Sequence, residues 1–148
     1  HLTNTKSELE VAEDGGVEGT IYSAGESVEV KGGSAAQFIY GSNPEATIKI
    51  EGRSGTRNGS IITSAKEVIF TGGAFVYDGI VFAPNASMTV GGGSRVVGAV
   101  VCDTFDGGKG SGDPVLEYKP IAMSSLPIPI LGSGSDETNK GYMKVWFD

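Results

Sequence analysis

The amino-acid sequence predicts an all-β fold: a β-solenoid of the right-handed parallel β-helix type, with about five coils at a 20-residue period. Three observations lead to this prediction. Short runs alternate apolar and polar residues, these runs recur every 20 residues, and a glycine follows each run at the same offset. The chain holds 24 glycines in 148 residues, about twice the usual share, which is typical of frequent turns. We expect a single domain over residues 1–148.

The first strand of each coil carries two apolar rows that repeat at a step of 20. These rows are Val28, Ile48, Val68 and Met88, and Val30, Ile50, Phe70 and Val90. The residue between the two rows is mostly polar, as in a strand with one buried face. A glycine recurs two residues later, as Gly32, Gly52, Gly72 and Gly92. Since one coil cannot bury its own apolar row, we expect like positions to stack about 4.8 Å apart.

A second strand in each coil presents two adjacent apolar rows. One row reads Ile21, Ile39, Ile61, Val81 and Val100, and the next reads Tyr22, Tyr40, Ile62, Phe82 and Val101. The copy around Ile39 needs a slip of about two residues. Neighbouring residues of a strand face opposite ways, so only one row can fill the interior. The other row is either covered by another segment or is a binding stripe, in which case Tyr22, Tyr40 and Phe82 are the candidate contacts with a ligand or partner.

The repeat extends over about residues 9–105, with Leu9–Val11 as a weaker first copy. A loop rich in glycine and aspartate is expected at 103–114. It is followed by a closing strand at Val115–Tyr118.

The residues after the closing strand break the repeat, so that 115–148 form a closing strand and a covering tail. The run Leu126–Leu131 is apolar and punctuated by prolines, which favours an extended segment over a helix. Tyr142–Phe147 alternates like a last strand and contains Trp146. We expect the tail to pack on one face of the solenoid, over the apolar row that contains Tyr22.

The composition argues against an enzyme, a metal site and a cofactor site. His1 is the only histidine and Cys102 the only cysteine, so neither a Ser-His-Asp nor a Cys-His arrangement is available, nor is a Cys/His zinc site. We interpret Cys102 as a small core residue. The carboxylates Asp103, Asp106 and Asp113 share one predicted loop, which leaves a polysaccharide-acting β-helix enzyme as a remote alternative.

The charge of the chain also excludes some partners. Its formal net charge is -7, and no basic patch is visible, so we predict no nucleic-acid binding. The sequence contains no apolar run of the ~20 residues that a membrane-spanning helix needs.

One stretch resembles a known family. Gly79–Gly93 contains the corner Phe-Ala-Pro-Asn-Ala before an apolar strand and glycines, and Gly98-Ala99-Val100-Val101 follows it. This pattern is similar to the C-terminal domain of PilX-type pilus-assembly proteins, as are a strand ending in tyrosine at Tyr118 and the late strand with Trp146. The resemblance covers about residues 15–148. The Lys119 that follows the tyrosine departs from the family pattern.

The resemblance implies a non-enzymatic, extracellular module of a bacterial type IV pilus or minor-pilin-like protein. Its work would be pilus assembly, display at the tip or surface adhesion, with other pilins or a surface ligand as partners. The family's hydrophobic N-terminal helix is missing from this sequence, so attachment to a membrane would depend on that helix, and the isolated domain is expected to be monomeric. The resemblance implies no catalytic residue.

The main alternative is a bactofilin-like protein, a cytoskeletal β-solenoid that polymerises end to end. Val17–Ile21 and Val30–Gly33 fit that class. The Pro-Asn corner, the 103–114 loop and the irregular tail fit it poorly, because an irregular end blocks stacking.

Overall fold

A computed structural model describes residues 8–11, 17–108 and 112–121 of the chain. The predicted covering tail from residue 122 onward lies outside these residues. The described residues form ten β-strands. The strands are β1 (Glu8–Val11), β2 (Val17–Ser23), β3 (Ser27–Val30), β4 (Ala35–Gly41), β5 (Thr47–Glu51), β6 (Gly55–Thr63), β7 (Glu67–Thr71), β8 (Phe75–Val90), β9 (Arg95–Asp106) and β10 (Val115–Tyr118).

All strand pairs are parallel, and each strand pairs with its counterpart in the next coil. The protein is therefore a β-solenoid of about five turns with a period near 20 residues. Three stacked columns of strand segments make up the coils. The first column holds β1, β3, β5, β7 and the C-terminal ends of β8 and β9. The second column holds β10 and the strand segments that begin at residues 35, 55, 75 and 95. The third column holds the strand segments around residues 21, 39, 61, 81 and 100.

The register agrees with the repeat predicted from the sequence. In the first column Ile48 pairs with Val28 on one side and Val68 on the other. In the third column Ile39 pairs with Ile21 and with Ile61, at steps of 18 and 22 residues. The predicted slip of two is thus confirmed, and register shifts between the second and third columns absorb it.

The core lies inside the coils, where the inward rows of all three columns meet. Phe70, Ile50 and Ile61 are fully buried, with 0% of their surface exposed. Each inward residue packs on its counterparts one coil above and one coil below, which explains why the rows match in residue type. Leu9 and Val11 of β1 pair with β3 and pack on this core, so the weaker first copy is confirmed.

The corner between the second and third columns brings successive backbones into close contact. A Cβ atom added to Gly79 would lie 1.7 Å from the carbonyl oxygen of Gly59, and one added to Gly98 would lie 2.0 Å from that of Gly79. No real Cβ atom approaches an oxygen so closely, hence the glycines at this corner are required by stacking.

The corner between the first and second columns requires positive φ angles at two consecutive positions. Glycine occupies both positions in three coils, but Arg53 stands at the second one in the coil of Gly52, with φ of 66°. A left-handed conformation is costly for a residue with a Cβ atom.

We therefore expect Arg53→Gly to stabilise the protein by up to about 1 kcal/mol, because it relieves the left-handed strain. Arg53→Ala is the matched control: it removes the same side chain and keeps the Cβ atom. Chemical denaturation of the three proteins checks this, and an alanine variant as stable as the glycine variant would show that the side chain rather than φ is responsible.

The corner expected at Phe82–Ala86 is present as a register shift between Ala83 and Ser87, although β8 runs continuously from Phe75 to Val90. One boundary differs from the sequence-based expectation. The predicted loop at 103–114 starts later, because Thr104 to Asp106 continue β9 and pair with Ser87 to Thr89. Asp103 alone connects Cys102 to Thr104, whereas three residues connect Ala83 to Ser87 in the preceding coil. This corner is therefore shorter, and paired residues beyond it are fewer than 20 positions apart.

The strand predicted at Val115–Tyr118 is present as β10. It pairs with β9 through Val115 and Arg95, which continues the step of 20 in the second column. Its outer edge has no strand partner among the described residues, and Leu116 and Tyr118 are exposed.

Candidate functional site

The outward row of the third column forms a shallow groove of about 510 Å³, which we call the aromatic groove. The three candidate contacts from the sequence, Tyr22, Tyr40 and Phe82, all line it. Ile62 lies between Tyr40 and Phe82 in the same row, because the register pairs Tyr40 with Ile62 and Ile62 with Phe82. The groove therefore runs along the solenoid axis across four coils.

The outward direction of this row follows from strand alternation. Ile39 and Ile61 point inward and are completely buried, so their neighbours Tyr40 and Ile62 point outward. Tyr22 remains 55% exposed and Phe82 44% exposed. An exposed apolar row of this length is uncommon on a monomer and is typical of a surface that contacts another segment, a partner or a ligand.

The two tyrosines stack on each other. Their ring centroids lie 5.1 Å apart and their planes differ by 9°. Stacking at the coil spacing turns the ring faces toward each other and leaves the ring edges at the surface of the groove. Burial raises the pKa of the Tyr40 phenol, and the nearby Tyr22 adds to the shift. Both effects disfavour a phenolate, so the groove remains neutral.

Some of the polar side chains in the groove wall already serve the corner turns. The hydroxyl of Thr63 donates to the carbonyl of Gly41 and accepts a hydrogen bond from the amide of Ala65, each at 3.0 Å. The hydroxyl of Ser23 accepts a hydrogen bond from the amide of Gly25 at 3.1 Å. The groove is lined by no charged residue. It therefore offers mainly apolar surface to a binding segment, together with the phenol groups of Tyr22 and Tyr40 and the polar side chains of Ser42 and Asn85.

The groove also contains residues that the sequence reasoning did not select as contacts. Ile62 belongs to the same row as Tyr40 and Phe82, so its position in the repeat could have identified it as a groove residue. Pro84 and Asn85 line the end of the groove because the corner after β8's third-column segment folds beside the row. Their position depends on the path of the corner, which periodicity alone does not give.

A second aromatic pair, outside the groove, was not anticipated. Phe75 and Tyr77 stack with centroids 5.1 Å apart on the outward side of the second column. The guanidinium of Arg57, one coil earlier, lies 4.8 Å from the Phe75 ring centroid and 5.4 Å from that of Tyr77. Such a cation–π contact covers part of the ring surface.

An ion-pair ladder covers the outward face of the first column. Lys31 lies 3.1 Å from Glu10 and 3.4 Å from Glu29, and Lys49 lies 3.0 Å from Glu29 and 2.6 Å from Glu51. The hydrogen bond that Lys49 donates to Glu29 is the largest cause of the lowered pKa of Glu29. The hydrogen bond that Lys49 donates to Glu51 is the largest cause of the raised pKa of Lys49. These acids are paired with cations in a structural array.

The part of the chain that the structure describes offers few groups suited to metal binding or nucleophilic chemistry. Its His, Cys, Asp and Glu residues form no group of three that could hold a metal ion, and it contains no helix of the length and apolar character that crossing a membrane requires. Cys102 is half-buried and packs against the core, and burial is the main cause that raises the pKa of its thiol. A raised pKa keeps the thiol protonated and poorly nucleophilic.

Comparison with known proteins gave one match. Neither the curated proteins nor the solved structures include a match to this chain. One family model, described as a domain of unknown function (DUF7305), matches residues 39–121. The matched segment spans more than half of the chain and includes most of the coils and part of the aromatic groove. The chain therefore belongs to the DUF7305 family.

Proposed function

We propose that this protein is a non-enzymatic, extracellular module of a type IV pilus or minor-pilin-like protein. It acts in pilus assembly, in display at the tip or in surface adhesion, and its partners are other pilins or a surface ligand. The support from the sequence is the Phe-Ala-Pro-Asn-Ala corner and the glycine phasing, which resemble PilX-type proteins.

The observation that carries the proposal is the uninterrupted rise of the chain from one end of the solenoid to the other. Glu8 lies in the first coil, Tyr118 lies in the last, and every strand pair between them is parallel. Six stacked strands in the first column give a rod of about 24 Å, at about 4.8 Å per step. A continuous ladder of this kind suits a rigid module that holds a surface at a fixed distance from its anchor.

Localisation in the cells that make the protein tests this proposal. Gold-labelled antibodies raised against the purified module should decorate pili or the cell surface, and deletion of the gene should reduce piliation or adhesion. The native reading frame should start with a prepilin-type segment that contains about 20 apolar residues. A cytoplasmic protein without such a segment, and with no label on the cell surface, would contradict the proposal.

A bactofilin-like filament is the second candidate, and the free edge of β10 favours it. Leu116 is 47% exposed on this strand and Phe105 is 48% exposed at the same end, so the last coil offers apolar surface to a further coil. The end strands carry Glu8 and Glu10 at one end and Glu117 at the other, but Glu10 is paired with Lys31 and Glu117 with Arg95, which weakens the repulsion between stacked copies. Negative-stain microscopy discriminates the candidates: the pilus module should show single particles, whereas a bactofilin should show filaments without nucleotide.

A further inference from the structure

The aromatic groove is an apolar surface that the described residues leave open. Tyr22 and Phe82, at its two ends, are 55% and 44% exposed, and Val101, which continues the row in the next coil, is 44% exposed. The tyrosine rings already occupy each other's faces, and Thr63 and Ser23 are already bonded to the backbone. An occupant that supplies apolar side chains matches the surface that Tyr22, Ile62 and Phe82 present.

One segment outside the described residues has this chemistry. In Leu126–Leu131 the alternate residues Leu126, Ile128 and Ile130 are apolar, and Pro127 and Pro129 separate them. The two residues before proline, Leu126 and Ile128, favour an extended conformation, and in an extended segment alternate side chains project from the same side. Each proline also lacks an N–H group, which reduces the donors that would be left unpaired when the segment lies across side chains instead of joining a ladder.

Charge is consistent with this pairing. The protein has a net charge of -7, yet no charged residue lines the groove. Likewise no residue from Pro120 to Ser135 carries a charge, whereas Asp136 and Glu137 follow at once. A neutral segment of sixteen residues can cover a neutral groove without burying an unpaired charge.

The exit point of the chain places this segment beside the groove. The amide of Lys119 donates to the carbonyl of Gly98 at 2.9 Å, which is where the third column begins in the last coil. The ammonium of Lys119 forms an ion pair with Asp78, on the outer surface two coils back, and Ile121 is half-buried. The chain thus leaves the solenoid next to Val101, at one end of the apolar row.

The lengths also agree. The row from Val101 to Tyr22 crosses four strand spacings, or about 19 Å at about 4.8 Å each. Six extended residues span about 20 Å, and the four residues 122–125 can bridge a further ~14 Å from the exit point.

We propose that Leu126–Leu131 docks along the aromatic groove and runs from Val101 toward Tyr22, so that the module covers its own apolar row. The segment lies across the strands, with Leu126, Ile128 and Ile130 packed against the ring edges and Ile62. This inference stands on the groove and on the chain's exit point, and it does not depend on the proposed pilus function. A partner that binds the module uses another surface or displaces this segment.

A disulfide test on the full chain addresses the docking directly. In a Cys102→Ser background, Phe82→Cys and Ile128→Cys are combined, and the protein is oxidised at low concentration. We expect a nearly complete intramolecular disulfide, because docking brings the two Cβ atoms near the separation of about 4 Å that the bond requires. The matched control is Thr89→Cys with Ile128→Cys, which places the first cysteine on the outward face of the first column and should remain reduced.

Other crosslinking patterns would overturn the proposal. Equal crosslinking of both pairs would show that the tail samples the whole surface. A disulfide between Ile128→Cys and Phe105→Cys, in place of the one to Phe82→Cys, would place the tail over the last coil. Crosslinks between molecules would mean that a second copy fills the groove, and a reduced Phe82 pair would leave the groove to an external ligand.

A second measurement applies even if a cysteine pair disturbs folding. Ile128→Asp should release the segment and increase the binding of an apolar dye several-fold, while the far-UV circular dichroism of the solenoid stays unchanged. Thr138→Asp, in the polar stretch after the segment, is the control and should leave dye binding at the native level. If Ile128→Asp binds no more dye than the control, residues 126–131 do not cover the groove.

Discussion

Gly79→Ala should prevent folding or reduce the free energy of unfolding by about 4 kcal/mol or more, which is exceptional for the addition of one methyl group. The added Cβ atom would lie 1.7 Å from the backbone oxygen of Gly59 and 3.2 Å from a methyl group of Val76. The oxygen belongs to the preceding coil and cannot rotate away, so relief requires the two coils to separate. The φ angle of Gly79 is not in the left-handed range, hence the effect reports close contact and not backbone strain.

Gly107→Ala is the matched control for this experiment. Gly107 lies after β9, and a Cβ atom there would meet no atom within 4 Å. Thermal and urea unfolding should give nearly native stability for this variant. A Gly79→Ala protein with native stability would mean that the coils do not approach each other as the structure has them.

Phe70→Ala should destabilise the protein by about 3–5 kcal/mol, the usual cost of a phenylalanine-sized cavity in a core. Phe70 is fully buried and is flanked in its row by Ile50 in the preceding coil and Val90 in the next. The residues on both sides are held by their own ladders, so the solenoid cannot collapse easily into the space.

Ile69→Ala is the neighbouring control, because Ile69 points outward from the same strand and is only half-buried. It should cost about 1 kcal/mol or less. Urea denaturation of both variants compares them directly. Equal losses at positions 69 and 70 would contradict the assignment of an inner and an outer face to the first column.

Most of the fold could be predicted because stacking requires similar residue types at equivalent positions of successive coils. Val28, Ile48 and Val68 contact one another across coils, so similar residues recur at the step at which they meet. The same logic predicted which residues share a row with Tyr22, and the groove follows from that row. Periodicity is a direct signal of contact in this architecture, which is rarely so in a sheet of antiparallel strands.

The remaining features depend on local backbone geometry that the repeated apolar rows of the sequence do not indicate. The continuation of β9 through Thr104–Asp106 was missed because a shortened corner changes the step from 20 to 17. Arg53 departs from the glycine pattern of its corner, and only the backbone angle reveals the strain. Pro84 and Asn85 line the groove because of how the corner bends. The cation–π contact of Arg57 with Phe75 is diagonal, since the register pairs Arg57 with Tyr77.

The central claim is that residues 20 positions apart in the first column are parallel neighbours. Nuclear Overhauser contacts between backbone protons of β5, β7 and β8 measure this most directly. The account predicts contacts between residues whose numbers differ by 20, such as Ile48 with Val68 and Val68 with Met88, all along the strands. Contacts between residues whose numbers have a constant sum would indicate antiparallel hairpins and would contradict the solenoid.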